Sequence, residues 1–225
     1  MLENFKPSIR PMTYDPPQDP LCVVHRDDDL LVLNKPSGLL SVPGRRPEHH
    51  DCLENRAKAA FPQALLTHRL DCDTSGLMLM AMNKRAQSLI GKHFERRLIH
   101  KTYIARVAGS PKEDEGFIDL PLRCDWPNRP LQMVCYEHGK PSQTAWKVLE
   151  RGGDSTLVQL NPITGRSHQL RVHMLALGHP ILGECFYAPE EVFRASPRLL
   201  LHAHSLEIHH PEGGKRVQYS AETPF

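Results

Sequence analysis

Apolar residues along the chain fall in short runs of four to nine, interrupted by turn formers, with few long stretches at helical spacing. Leu21–Val24 and Leu30–Asn34 read as two short strands joined by the turn Arg26-Asp27-Asp28-Asp29. Asp51, with Glu54 three residues on, resembles a capping box opening a helix that ends near Phe61, before Pro62. Leu77–Met82 is unbroken apolar sequence and predicts a buried strand. Asn83 is positioned to cap a helix running to about Arg97, with Leu89, Ile90 and Phe94 as its apolar stripe. Lys101–Ala108 alternates and places Tyr103, Ala105 and Val107 on one side of a strand. Ala145–Glu150 and Thr156–Leu160 predict a hairpin closed over Arg151-Gly152-Gly153-Asp154, and Asn161–Gly165 should break its second strand. Ser167 is the expected N-cap of a helix from His168 to Leu177, stopped by Gly178 and Pro180. Arg198–Ile208 and Val217–Tyr219 read as late strands, whereas Leu120 to Pro141 is irregular by composition. Short strands and a few helices without regular β-α alternation argue for an α+β fold on a largely antiparallel or mixed sheet.

Composition narrows the class. The 225 residues, 40% hydrophobic and 24% charged, suit a globular chain with an ample core. No apolar run approaches a membrane span. Pro7, Pro11, Pro16, Pro17 and Pro20 mark residues 1–20 as a flexible arm, and residues 21–225 show no boundary that would divide them. The six cysteines, at 22, 52, 72, 124, 135 and 185, include no Cys-x-x-Cys and predict reduced thiols in a cytoplasmic protein. The net charge is only +2, but its distribution is uneven. Lys84, Arg85, Lys92, Arg96, Arg97, Lys101 and Arg106 face a single acid, Glu95, over one stretch. Such a stripe is either a phosphate-binding footprint or a solvated helix face.

Three residues stand out as carriers of chemistry. Asp71 lies in the loop His68–Gly76, between two apolar runs, where charged and turn-forming residues collect. Taken alone, its carboxylate reads first as that of an ordinary capped turn, accepting backbone N–H bonds. Tyr103 sits in a basic strand and Arg166 at a turn before a helix; each, in isolation, also fits a structural role. His168 and His173 have the wrong spacing for a helical zinc pair, and no partner completes His202 and His204, so no metal is expected. Phosphate-cradling glycine loops and Gly-x-Ser-x-Gly are both missing, which speaks against a nucleotide cofactor and a serine hydrolase.

Together these segments resemble those of the RluA-family pseudouridine synthases. His68-Arg69-Leu70-Asp71-x-x-Thr74-Ser75-Gly76 is similar to that family's signature, and Asn34-Lys35-Pro36-Ser37-Gly38 to its upstream motif. Lys101-Thr102-Tyr103, Gly165-Arg166-Ser167-His168-Gln169-Leu170-Arg171-Val172-His173 and Leu199–Ala203 follow in the family's order. Cys124–Pro130 and Pro180–Gly183 resemble the branch that modifies both a large-subunit rRNA hairpin loop and tRNA anticodon stem-loops.

The resemblance implies a pseudouridine synthase fold with one catalytic domain over 21–225 and no N-terminal S4 domain. It implies an isomerase that needs no cofactor, acts on RNA, and requires no membrane or obligate protein partner. It assigns the essential carboxylate to Asp71, a ring against the target base to Tyr103, and a cation paired with Asp71 to Arg166. It places Arg69 in the stack vacated by the extruded base. Phosphate contacts would come from Lys84, Arg85, Lys92, Arg96, Arg97 and Lys101, and the loop holding Trp126 and Arg129 would read RNA shape. Two other readings remain open at this point: a non-catalytic RNA-binding or ribosome-assembly module, and a metal-dependent hydrolase using Asp71, Asp73 and nearby histidines.

Overall fold

A computed structural model describes residues 6, 7, 9, 10 and 13–225. In chain order its elements are β1 (Val23–Arg26), β2 (Leu30–Lys35), α1 (Leu53–Ala60), β3 (Leu65–Leu66), β4 (Ser75–Ala81) and α2 (Lys84–Glu95). These are followed by β5 (His100–Ala108), β6 (Glu115–Asp119), β7 (Leu122–Cys124), β8 (Gln132–Val134), β9 (Gln143–Arg151) and β10 (Ser155–Pro162). The chain ends with α3 (Gln169–Ala176), α4 (Glu190–Arg194), β11 (Leu201–His209) and β12 (Arg216–Ser220). It is an α+β protein with mostly antiparallel strand pairs, as the sequence pattern predicts. No described helix is long and apolar enough to cross a membrane.

The described residues gather into two units, one of 13–101 with 202–225 and the other of 102–201 with the described residues before 13. Both changeovers fall inside strands, β5 and β11, which explains why no linker is legible in the sequence. In the first unit β4 is central. It pairs antiparallel with β2 from Leu30↔Ala81 to Lys35↔Gly76, and parallel with β11 at His202↔Ser75 and Ala203↔Gly76. All seven β4 residues are buried, so the run Leu77–Met82 carries apolar side chains on both faces. On one face Leu30, Val32, Leu77 and Leu79 pack with Ala86 and Ile90 of α2, whose N-cap is Asn83 as expected (Oδ1 accepts from Ala86 N–H, 2.8 Å). α1 differs from its reading. Cys52 occupies the cap without a side-chain bond, because the Asp51 carboxylate is taken by Arg56 in two 2.7 Å bonds.

Gly76 is fixed by the parallel pairing. Its φ is +108°, and a Cβ there would lie 2.4 Å from the Ala203 carbonyl oxygen. Gly76→Ala combines an unfavourable left-handed backbone with a backbone collision, a cost of about 2–4 kcal/mol. Thermal unfolding should show Tm lowered by roughly 5–12 °C.

In the second unit β5, β10, β9 and β6 run antiparallel in that order. Ala105, Val107, Val158 and Leu160 pack against Leu170 and Met174 of α3. The β9–β10 hairpin turns over residues 152–154 as predicted, but β10 continues through Asn161 to Pro162. α3 begins at Gln169, one residue later than read, and its cap position is His168 with φ +53°, not Ser167. The Gln169 side chain builds the preceding turn instead. Its Oε1 accepts from Arg166 N–H (3.0 Å) and Thr164 Oγ1 (2.7 Å), and its Nε2 donates to the Gln143 carbonyl (3.0 Å). The Leu120–Pro141 region resolves into the small β7–β8 sheet and a 3-10 turn at Trp126–Asn128. That sheet is seated on α3 by Leu122, Leu131, Val172 and Tyr187.

The arm expected over residues 1–20 lies partly outside the described residues, which omit 1–5, 8, 11 and 12. Within the described part, Tyr14 donates to the Asp51 carbonyl (2.7 Å) and accepts from Leu40 N–H (3.0 Å). Arg10 donates to the Cys185 and Ala188 carbonyls and covers the Phe193 ring at 4.6 Å.

Candidate active site and RNA interface

The Asp71 loop is held from below by the turn that follows β2. Lys35 is fully buried, and its ammonium donates to the carbonyls of Pro36 (2.9 Å), Leu39 (2.6 Å) and Cys72 (2.7 Å). Gly38 N–H also donates to the Cys72 carbonyl (3.1 Å), and Ser37 Oγ to the Asp73 carbonyl (2.6 Å). Ser41 Oγ donates to the Leu70 carbonyl (2.7 Å) and accepts from Leu70 N–H (3.0 Å). Residues 70, 72 and 73 are thus tied through their backbones, while Asp71 itself, half-buried, closes a turn whose Thr74 N–H reaches its carbonyl (3.3 Å). A buried cation bonded to three carbonyls is strong local glue, since each such bond to a charged donor contributes about 1.5–3 kcal/mol.

Histidines frame the two ends of the loop. His68 Nε2 accepts from Leu79 N–H (2.9 Å), which requires a neutral ring at that nitrogen. Burial, reinforced by the Lys101 charge, pushes its pKa down to about 3. At the other end, Ser75 Oγ bonds Nδ1 of the buried His202 (2.9 Å), locking the loop exit to β11. His202 therefore acts as a strand lock, and no cluster of three or more potential metal ligands occurs among the described residues.

The cations around this unit divide by environment. Arg69, Lys84, Lys92, Arg96 and Arg97 are exposed. Arg85 is engaged structurally: its guanidinium takes both oxygens of the buried Asp29 (2.8 and 2.7 Å) and donates to the Pro211 carbonyl (3.0 Å). Lys101 is half-buried, and burial lowers its ammonium below the usual lysine range.

In the second unit Tyr103 is half-buried on β5 opposite Leu160, against the Ala105–Val107 core side predicted for it. Arg166 lies on the turn before α3, its N–H bonded to Gln169 Oε1. The Gln169-built turn leaves it exposed, with Nε donating to the Pro141 carbonyl (3.3 Å) and no ion pair among the described residues. The other arginine of the same motif, Arg171, is the buried one. Its Nε and Nη2 bind the two oxygens of the buried Glu184 at 2.6 and 2.5 Å. The sequence signal for it was its place inside the apolar run Leu170–Val172 of α3, where a charge needs a partner. Arg166 faces a cavity of about 620 Å³ shared with Arg123, Trp126, Gln132, His138 and Lys140. Trp126 is exposed there, and the Arg129 guanidinium covers its ring at 4.1 Å.

An anchored Asp loop, a tyrosine strand and surface cations are what an enzyme acting on a polyanion needs, and comparison with known proteins gives the class. The chain belongs to the RNA pseudouridylate synthase family, which it matches over residues 29–176. It is an isomerase that makes pseudouridine in RNA. The dual-specificity RNA pseudouridine synthase RluA of Vibrio vulnificus is 56% identical over 207 residues, spanning 89% of this chain and 83% of that one. The protein of the same name from Escherichia coli strain K12 is 54% identical over 214 residues, spanning 94% and 98%. Among solved structures, human RNA pseudouridylate synthase domain containing 1 has a TM-score of 0.77 at 31% identity, covering 96% of this chain and 87% of its own.

Proposed function

We propose that this enzyme modifies uridines in stem-loops of both large-subunit rRNA and tRNA, in the cytoplasm, with Asp71 as its essential carboxylate. The observation that carries the substrate reading is identity of 54–56% to enzymes named dual-specificity, across nearly the whole chain. The reaction breaks the C1′–N1 bond of uridine, rotates the base and rejoins it through C5, with the C5 proton lost and a proton gained at N1. It balances without an oxidant or a group donor. Asp71 serves as the anion, whether by attack at C1′ or by removing a sugar proton. Tyr103 offers its ring to the extruded base, which cannot react while stacked in a helix. Arg69, exposed beside the Asp71 loop, fills the vacated stack with its planar cation. Arg166, exposed on the turn that Gln169 builds, supplies a cation to the RNA.

A non-catalytic RNA-binding module is disfavoured by the investment of buried groups in holding one loop aspartate. Incubating purified protein with rRNA and tRNA transcripts and mapping pseudouridine tests the reading. Product in both supports it, and product in neither overturns it. The α2 cations supply a second test. Replacing Lys92 and Arg96 together by Ala should weaken RNA binding and flatten the slope of log K against log salt by about 2, since each phosphate contact releases about one counterion. Filter binding between 50 and 200 mM salt, a range chosen on the order of that used for such slopes, reads it.

A further inference from the structure

The cavity beside Arg166 collects cations that the fold does not use. Arg123, Lys140 and Arg166 line it together with His138, and no carboxylate does. Among the described residues, none of these three is ion-paired. The Arg123 guanidinium reaches only the Cys135 sulfur (4.0 Å), the Arg166 guanidinium donates only to the Pro141 carbonyl, and Lys140 is exposed to solvent. The nearby acids are occupied or set aside: Asp125 accepts from Asn128 Nδ2 (2.9 Å), and Glu137 lies 3.5 Å from His138. Three like charges around one concavity repel each other, so the fold tolerates a cost that an anion would remove.

An aromatic platform stands at the rim. The Trp126 indole is 64% exposed, and Arg129 covers its ring. Exposed Trp is uncommon, and a Trp beside clustered cations is the pairing that single-stranded nucleic acid uses: phosphates on the charges and a base on the ring. The platform is rigidly founded. Tyr187 Oη accepts from Gln132 N–H (2.8 Å) and bonds His168 Nδ1 (2.7 Å), fastening β8 to the start of α3.

We infer that this cavity is a nucleotide-binding subsite for the RNA substrate, in which Arg123, Lys140 and Arg166 hold a phosphodiester and Trp126 stacks an unpaired base. The inference rests on the RNA reading above and extends it to a site built wholly within residues 122–167. It holds an unpaired nucleotide of the substrate and so selects for single-stranded geometry.

Binding is read directly, so the outcome does not depend on turnover. Equilibrium Kd for a tRNA anticodon stem-loop is measured for the wild type, Arg123→Ala with Lys140→Ala, Trp126→Ala, Trp126→Phe, and Lys112→Ala as a cation control outside the cavity. The double variant should lower the salt slope by about 2 and raise Kd at least roughly tenfold. Trp126→Ala should raise Kd by about 5- to 150-fold, with Trp126→Phe recovering most of it, because a ring and not an indole N–H is required. The stem-loop with an abasic loop position should lose the Trp126 effect but keep that of the Arg123 and Lys140 double variant. Lys112→Ala should stay near wild type. Unchanged Kd and slope in the double variant would overturn the subsite while leaving pseudouridine formation intact. Equal losses in the Lys112 control would overturn it too, by showing only a diffuse charge effect. Circular dichroism confirms that each variant is folded.

Discussion

Asp71→Asn is expected to lower pseudouridine formation by more than about ten-thousand-fold, the scale at which loss of a reacting group is felt. The substitution keeps the size of the side chain and removes only its charge and basicity. Neither chemical route tolerates that: an amide does not attack C1′ and does not accept a sugar proton. The loop should survive, because its geometry is set by backbone groups. Lys35, Ser37, Gly38 and Ser41 all bond main-chain atoms of residues 70, 72 and 73. RNA affinity should be unchanged or slightly tighter, since one negative charge is removed from a surface that receives phosphates. Tritium release from 5-tritiated uridine RNA measures the first effect and filter binding the second. Turnover near the wild-type rate in the variant would remove Asp71 from the chemistry.

The sequence made the elements with strong periodicity legible and left the polar joints obscure. Leu77–Met82 announced a two-sided strand because every position is apolar, and Asn83 announced α2 because its cap bond is local. Asp51 and Ser167 had the right residue types for caps but lost the position to neighbouring side chains. Arg56 claimed the Asp51 carboxylate, and Gln169, reaching back across its own turn, took the amide of Arg166. The same turn explains Arg166. A motif shows which arginines are present but not which one the backbone turns outward, and it is Arg171 that the helix buries against Glu184. The cavity at Lys140 was invisible for a related reason, since its cations come from residues 123, 140 and 166, distant in sequence and joined only by the seating of β7–β8 on α3.

Lys35 carries the second large prediction, because it links stability to chemistry through one ammonium group. A fully buried lysine is costly unless all three donors are satisfied, and here they go to the Pro36, Leu39 and Cys72 carbonyls. Lys35→Met fills much the same volume but removes the ammonium from all three carbonyls, leaving Cys72 only its bond from Gly38 N–H. The loss should be about 3–5 kcal/mol, seen as a Tm lowered by roughly 8–15 °C. Stability alone would leave turnover per folded molecule intact. The Cys72 carbonyl, however, is adjacent to Asp71, so the same deletion loosens the catalytic loop, which the bonds from Ser37, Gly38 and Ser41 then hold alone. A displacement of about 1 Å at a reacting carboxylate is worth on the order of a hundredfold in rate. Assayed well below its Tm, Lys35→Met should therefore show kcat reduced about a hundredfold with KM for RNA little changed, because the phosphate-binding cations lie on other elements. Ser37→Ala, which removes a single neutral bond to the Asp73 carbonyl, should reproduce the pattern at a fraction of its size, about threefold to tenfold in kcat. A Lys35→Met enzyme with lowered Tm but wild-type kcat would show that the buried ammonium supports the fold without setting the position of Asp71.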